Sequence, residues 1–443
     1  MTGPRDTIYA LSSAPGRAGL AVIRVSGPAA GAALQALTGV DLPNPRYAAR
    51  ARLHHRNEPL DDGIALWFPG PHSYTGEDVA ELHIHGGVAV VAAVLEALGA
   101  QPGLRLAQPG EFTRRAFHAG KIDLTAAEGL IDLIDAETEA QRRQALRQAD
   151  GALGRLYDGW RDRLIALLAH FEAAIDFVDE PIPDDLEADV RDGILCIGEE
   201  LTRYLDDDRR GERLRTGVQI AILGAPNAGK SSLLNLLSQR DAAIVSSTAG
   251  TTRDVVEVRL DLQGIPVTVA DTAGLRDSAD DIEAEGVRRA RARAEAADLK
   301  LVLFDVGAPP DAASEALVDG DTIVVDSKAD LAPRAAGAQA AGALARCAVS
   351  VRTGAGIDAF VIVLTNAVRA RAGFADAPAI TRARHREALT DCRDALRRAA
   401  SASESELAAE DLRLAVRALG RITGAVDVED LLDVIFRDFC IGK

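Results

Sequence analysis

The sequence predicts a multidomain α/β and α+β protein in which a phosphate-binding α/β domain is inserted into a discontinuous helical bundle. Three observations predict it. Near the middle of the 443 residues a Gly-rich turn, Gly224 to Ser232, joins an apolar strand to a helical run. Apolar stripes at three- and four-residue steps recur before and after that region. The first 121 residues instead mix period-two strands with short helices. The length suggests two or three domains, and 47% hydrophobic with 26% charged residues is a globular composition.

Gly19 to Val25 reads as a buried strand and Pro28 to Leu37 as a helix. Ile64 to Phe68 is a further strand, and Val79 to Ile84 alternates so that Ala80, Leu82 and Ile84 share one face. Gly86-Gly87 breaks the chain before a helix over Val88 to Leu98, completing an α+β domain over 1–121. From Leu124 the period is helical. Leu153, Leu156, Trp160, Leu164, Leu167 and Phe171 form one stripe of an amphipathic helix, with Trp160 a core position. Pro181 to Pro183 interrupts the pattern, a helix follows over Leu186 to Leu205, and the charge run Asp206 to Arg210 leads out of this first helical part, 122–214. The segment 215–370 is α/β, with apolar strands at Val218 to Leu223, Val267 to Asp271, Leu299 to Asp305 and Thr322 to Asp326. Past Arg371 the chain is helical again: Leu412, Val416, Leu419 and Ile422 make one stripe and Leu431 to Phe439 another, within a second helical part, 371–443. A single bundle interrupted by the α/β domain is the economical arrangement, because insertion is tolerated where termini lie close together.

A net charge of −17 argues against a protein that coats nucleic acid. A local patch stays open: Arg46, Arg50, Arg52 and Arg56, with two histidines between them, form either a solvated loop or an RNA contact, and Arg114 and Arg115 sit near Lys121. The N-terminus, Met-Thr-Gly-Pro-Arg-Asp, lacks the apolar core of a signal peptide, and no stretch approaches a spanning helix. Cys196, Cys347, Cys392 and Cys440 show neither metal-ligand spacing nor disulfide-framework density. The expectation is a reduced, cytoplasmic protein without membrane contact.

The turn Gly-Ala-Pro-Asn-Ala-Gly-Lys-Ser-Ser is a P-loop by residue type and context. Its glycines let backbone N–H groups converge on phosphate oxygens, Lys230 reaches the β/γ phosphates, and the Ser231 hydroxyl meets magnesium. The helix is expected over Ser232 to Ser238. Phosphate binding does not demand Asn227. Downstream, Asp271-Thr272-Ala273-Gly274 ends an apolar strand, where the carboxylate holds magnesium through water and the Gly N–H meets the γ-phosphate. Between them Thr252, in Gly250-Thr251-Thr252-Arg253-Asp254, is placed to give magnesium a second hydroxyl. Ser327-Lys328-Ala329-Asp330 ends the next strand and Ser350-Val351 follows another; Asp330 would accept the N1 and N2 protons of guanine, which adenine cannot offer. The ordered set points to a guanine-nucleotide switch, with an adenine-specific ATPase as the competing reading. Ras-like switches carry a water-orienting Gln after Asp-x-x-Gly, but here that residue is Leu275. Glu283 could orient the water instead, or could be a carboxylate that only favours a helix start.

Together these residues resemble the MnmE (TrmE) family of tRNA-modifying GTPases over essentially the whole chain. The matches are Pro15-Gly16-Arg17 with Ile23-Arg24-Val25-Ser26-Gly27, Tyr74 to Leu82, Pro109-Gly110-Glu111-Phe112-Thr113 with Lys121, Asn227, Gly250 to Asp254, Asp271 to Arg276, and the final Cys440-Ile441-Gly442-Lys443. The resemblance implies a folate-binding-like N-terminal α+β domain that also dimerises, a discontinuous helical bundle, and an inserted Ras-like P-loop GTPase domain. By the same resemblance, GTP binding falls on Asn227, Ala228, Gly229, Lys230, Ser231 and Ser232, then on Ser246, Ser247, Thr248, Ala249, Gly250, Thr251 and Thr252. It continues on Asp271, Thr272, Ala273 and Gly274, with Ser327, Lys328, Asp330 and Ser350 around the base. Magnesium goes to Ser231 and Thr252. Potassium goes to Asn227 with Ser246, Thr248 and Thr251, taking the place of an arginine finger as two nucleotide domains meet face to face. Glu283 aligns with the family's water-positioning glutamate. A tetrahydrofolate derivative, 5-formyl or 5,10-methylene, is implied at Arg24, Glu81 and Lys121, with Lys443 nearby.

The resemblance further implies a homodimer that works in a heterotetramer with the FAD-carrying flavoprotein MnmG. That complex adds an aminomethyl or carboxymethylaminomethyl group to C5 of the wobble uridine of certain tRNAs. Cys440 is either a nucleophile or merely a buried thiol near the C-terminus. Two positions depart from the family pattern. Ser327 replaces an Asn whose amide braces the base-binding loop, and Val351 replaces an Ala beside the guanine O6 site. A ribosome-assembly or regulatory GTPase switch without modification chemistry is the alternative reading.

Overall fold

The computed structural model describes residues 6–176, 186–240, 257–271, 292, 294–331, 342–373, 378–426, 429–437 and 439–442. It separates into two units, one of Met1–Ile131, Gln148–Asp162 and Leu419–Lys443, the other of Asp132–Arg147 and Arg163–Ala418.

In the first unit β1 (Thr7–Leu11), β2 (Ala21–Ser26), β3 (Ala49–His55), β4 (Glu58–Phe68), β5 (Val79–Ile84) and β6 (Leu104–Leu106) form one sheet, in the order β3-β4-β5-β2-β1-β6. Every pair is antiparallel except β1 with β6. Alternation along the strands sorts the two faces. Ile23, Val25, Ala80, Leu82 and Ile84 enter a core with residues of the helices Ala30–Thr38 and Val88–Gly99. Arg24, Glu81 and His83 fall on the other face, where Arg24 lies opposite Glu81 in the register.

The basic segment around residue 50 is not a loop. Ala51 and Leu53 are buried, the exposed Arg50 and Arg52 alternate with them, and the segment forms the edge strand β3. Arg50 donates to Asp62 across the β3–β4 pair, so part of the basic charge is already answered within the sheet. The charges are solvated, as the local pattern suggests, but on an edge strand instead of a loop.

Beneath the helix Glu111–His118 lies an ion network. Arg115 is buried and donates to Asp6 Oδ1 (3.0 Å), Glu77 Oε2 (3.1 Å) and Glu111 Oε1 (3.0 Å). Burial works against the charged form of Glu111, but hydrogen bonds from Arg105, the Gln108 amide and Arg115 hold its carboxyl below the ordinary value. Glu77 and Glu111 lie in two of the motif segments that carry the resemblance, so part of that signature is structural. Replacing Arg115 with Ala would take the cation from Glu77 and leave Asp6 and Glu111 to Arg105 alone, around a buried gap. The expected loss of stability is about 3 kcal/mol, read from urea denaturation of the whole chain.

The helix Glu429–Arg437 closes the unit, with Leu432, Ile435, Phe436 and the following Phe439 packed against Leu124 and Ala127. The tail then returns to the sheet: Ile441 bridges to Pro109, and Ser12 Oγ donates to Gly442 O at 2.8 Å. Gly442 has φ +100°, and a Cβ there would lie 2.0 Å from Leu11 O. Only glycine fits.

The second unit holds β7 (Val218–Gly224), β8 (Glu257–Leu262), β9 (Ile265–Asp271), β10 (Leu299–Asp305), β11 (Thr322–Ser327) and β12 (Ala345–Ala348), in the order β12-β11-β10-β7-β9-β8. All neighbours are parallel except the β8–β9 hairpin. The strands read as near-continuous apolar runs because both faces are covered, as a parallel sheet requires. The helix after the P-loop runs Lys230–Arg240, two residues earlier than the sequence suggested. The helices Leu186–Leu205 and Ala383–Ser401 pack together, so elements from before and after the α/β segment meet in one bundle. Among the described residues no helix is long and apolar enough to cross a membrane.

Candidate functional site

β7 lies between β9 and β10, where the strand order reverses, and its carboxyl end opens on the crevice where doubly wound sheets bind ligands. Gly224 stands there with φ +141°, and a Cβ would come 2.5 Å from Leu303 O on β10. Asn227 (φ +63°) and Gly229 (φ +95°) also adopt left-handed conformations. This backbone path leads into the positive end of the helix Lys230–Arg240. The mostly buried Lys230 extends into the same loop, where Nζ donates to Gly224 O (2.7 Å) and Ala225 O (2.8 Å). Ala228 is buried, Asn227 is exposed, and Ser231 and Ser232 follow Lys230 in the first helical turn. Asp271 ends β9, in register with Ile222 of β7, which brings its backbone alongside the P-loop strand.

The residues expected around the base stand at the ends of β11 and β12. Lys328 (φ +57°) turns the chain just after β11, and its Nζ meets Asp305 Oδ2 at 2.6 Å. Ser350, fully buried, donates through Oγ to Asp330 Oδ1 at 2.7 Å, while Arg352 holds Asp330 Oδ2 at 2.7 Å. The Ser350 bond, with Arg352 beside it, keeps the Asp330 carboxyl below the ordinary carboxylate value, so it is an ionised acceptor at neutral pH. Ser327, in place of the family's Asn, is buried; its Oγ donates to Phe304 O at 3.2 Å and lies under Gly229. The hydroxyl therefore braces the loop against β10. Arg352 and Asp305 were not among the sequence candidates. Arg352 follows Ser350 by only two residues, a spacing that could have found it.

Ser246, Ser247, Thr248, Ala249, Gly250, Thr251 and Thr252, then Thr272, Ala273, Gly274, Glu283 and Lys443, lie outside the described residues.

On the first unit's sheet, Arg24 Nε donates to Glu81 Oε1 at 2.9 Å, and the guanidinium lies 5.2 Å from the Tyr74 ring centroid and 5.7 Å from that of Phe112. His83 Nε2 is 3.5 Å from Glu81 Oε2. A carboxylate and a guanidinium at a partly exposed sheet face, with Tyr74 and the fully buried Phe112 packed behind the guanidinium, suit a planar heterocycle with N–H donors. Lys121 is oriented differently: its Nζ donates to Pro71 O and its stem passes Gly76. Tyr74 and Phe112 lie in motifs that carry the resemblance but are not among its expected site residues, because strand register alone does not reveal that the Tyr74 loop and the helix Glu111–His118 pack over Arg24. Cys440 is exposed, which corrects the reading of it as a buried thiol. The backbone bridge at Ile441 holds the tail on the surface instead of within the core.

Comparison with known proteins accounts for almost all of the chain. The family model described as "GTP-binding protein TrmE N-terminus" matches residues 7–121, and that described as "MnmE helical domain" matches 124–440. A "tRNA modification GTPase MnmE" of Parvibaculum lavamentivorans is 59% identical over 99% of this chain and 100% of its own length. The same-named protein of Rhodospirillum rubrum is 58% identical over 99% of both. The mitochondrial "5-taurinomethyluridine-[tRNA] synthase subunit GTPB3" of Danio rerio is 50% identical over 99% of this chain and 93% of its own. With a P-loop turn at the carboxyl end of β7 and relatives matching from end to end, the chain belongs to the MnmE (TrmE) family of tRNA modification GTPases.

Proposed function

We propose that the chain is a potassium-dependent GTPase that works as a homodimer with the flavoprotein MnmG. Together they add an aminomethyl or carboxymethylaminomethyl group to C5 of the wobble uridine of certain tRNAs. The observation that carries this reading is the pairing in one chain of a guanine-type nucleotide site with a second, separate site around Arg24 and Glu81. A switch that only binds partners has no use for the second.

Each implied group has donors of suitable chemistry. Ser231, at the start of the P-loop helix, is a hard hydroxyl ligand for magnesium, with Thr252 as the second. The exposed Asn227 amide oxygen, held at the loop's left-handed turn, suits potassium, with Ser246, Thr248 and Thr251 as the remaining carbonyl ligands. Potassium there would place a fixed positive charge beside the β/γ bridge, where charge develops in the transition state. The protein's own part is to hold the phosphates with Lys230 and the loop amides, fix the base with Asp330, and orient the attacking water with Glu283. Leu275 cannot do that last task. A 5-formyl- or 5,10-methylene-tetrahydrofolate would be held by Glu81 at the N–H donors of its pterin and by the cations Arg24, Lys121 and Lys443 toward its glutamate tail, with FAD on the partner. Cys440, exposed on the docked tail, is a candidate nucleophile.

The test is nucleoside analysis of tRNA from cells lacking the chain. The C5-modified wobble uridine should vanish and return with the intact gene; an unchanged nucleoside profile would leave the regulatory-switch reading standing. Titration with 5-formyltetrahydrofolate separates the two in vitro. Binding is expected, and Arg24→Ala should weaken it at least tenfold by removing a charge-assisted contact and releasing Glu81.

A further inference from the structure

Guanine must place its N1 and N2 donors on the Asp330 carboxylate, and in this structure both of those oxygens already have partners. Oδ1 takes the Ser350 hydroxyl and Oδ2 takes Arg352, each at 2.7 Å. The two partners differ in kind. Ser350 is fully buried, and its Oγ also accepts from Thr353 N (3.2 Å), which fixes it within the loop. It can share Oδ1 with an incoming N–H, because a carboxylate oxygen accepts more than one bond. Arg352 is a long side chain, 77% exposed, reaching back to a carboxylate only 13% exposed. Its guanidinium, a planar fork of N–H donors, offers Oδ2 what the edge of guanine offers it.

We propose that Arg352 is an internal competitor for the guanine-binding carboxylate, a residue that sets nucleotide affinity by occupying Asp330 until the base displaces it. The inference rests on the guanine reading of this site. Base entry requires the guanidinium to swing into solvent, where its exposure leaves it room. The apparent dissociation constant is then the intrinsic one divided by the fraction of molecules with Asp330 open. An exposed ion pair of this type shifts that fraction modestly, so removing the competitor should tighten binding about two- to fivefold. The gain should appear in the association rate, with dissociation unchanged, because Arg352 is no longer on Asp330 once the base is bound. It should also fade with salt, which weakens the competing pair.

The experiment is stopped-flow binding of a fluorescent GDP analogue to the full chain, comparing wild type, Arg352→Gln and Arg352→Lys at 0.05 and 0.5 M sodium chloride. Asp330→Asn serves as a control for base recognition. Arg352→Gln is expected to raise the association rate two- to fivefold at low salt and to converge on wild type at high salt. Arg352→Lys, which keeps the charge but loses the fork, should fall between. A faster dissociation rate in Arg352→Gln would show that the arginine packs on the bound base, and would overturn the proposal; identical rates in all three proteins would do the same. If wild type binds the analogue no better than Asp330→Asn does, the guanine reading fails and this inference with it. Tight wild-type binding with no gain in Arg352→Gln sinks the inference alone.

Discussion

Asp330→Asn should lower GTP affinity at least a thousandfold and transfer binding to xanthosine triphosphate. The carboxylate at this position only accepts hydrogen bonds, and its ionised state is secured by the Ser350 hydroxyl with Arg352 beside it. Guanine presents donors at N1 and N2, so a carboxylate answers both. An amide turns one acceptor into a donor facing a donor, which removes a charge-assisted bond and leaves a buried clash of like partners. Xanthine carries a carbonyl in place of the 2-amino group and accepts from the new amide. Isothermal titration with both nucleotides measures the change. An Asp330→Asn protein that keeps its GTP affinity would mean that the base is read elsewhere and that the ordered motif set has been misassigned.

Asn227→Ala should abolish the difference between potassium and sodium in GTP hydrolysis. Wild type is expected to turn over 10²- to 10³-fold faster in potassium, the range associated with losing one preorganised electrostatic contact to a transition state. The mutant should run at the sodium rate in both salts while keeping its GDP affinity within a few-fold, because Lys230 and the loop amides still hold the phosphates. That split between rate and affinity is the discriminating result. Asn227 is exposed and sits at φ +63°, a conformation that Asn tolerates better than Ala, so part of any loss could be backbone strain. Asn227→Gly removes the amide while relieving the strain, and it should behave like Asn227→Ala. Equal rates for wild type in the two salts would end the potassium assignment.

Most of the fold was legible because its signals are local. The strands β5 and β10 fall at the anticipated bounds, since a six- or seven-residue apolar or alternating run between breakers has few alternatives. The helix Leu186–Leu205 was equally clear from its period. β3 was hidden by its arginines, β12 was expected only as an unbounded strand before Ser350, and β1, β6 and β8 do not stand out before their partners are known. A strand of three or four residues is defined by its neighbour. The same holds for the network around Arg115, whose carboxylates come from residues 6, 77 and 111 and could not be grouped from spacing.

The sequence by itself determined the chemistry of the nucleotide site. Gly224, Gly229, Lys230 and Ser231 must be neighbours because a strand, a tight turn and a helix N-terminus are contiguous in the chain, and contiguity fixes their geometry. Tertiary structure alone decided which side chains share a proton acceptor or a face. Arg24 meets Glu81, Tyr74 and Phe112 only after β2 pairs with β5 and the Tyr74 loop and the helix Glu111–His118 pack over them. Arg352 meets Asp330 only because β11 and β12 run in parallel, bringing the turns at their carboxyl ends together. Local interactions write themselves into residue order, whereas long-range pairings depend on register and sheet order, which a single sequence specifies only through the energy of the whole fold.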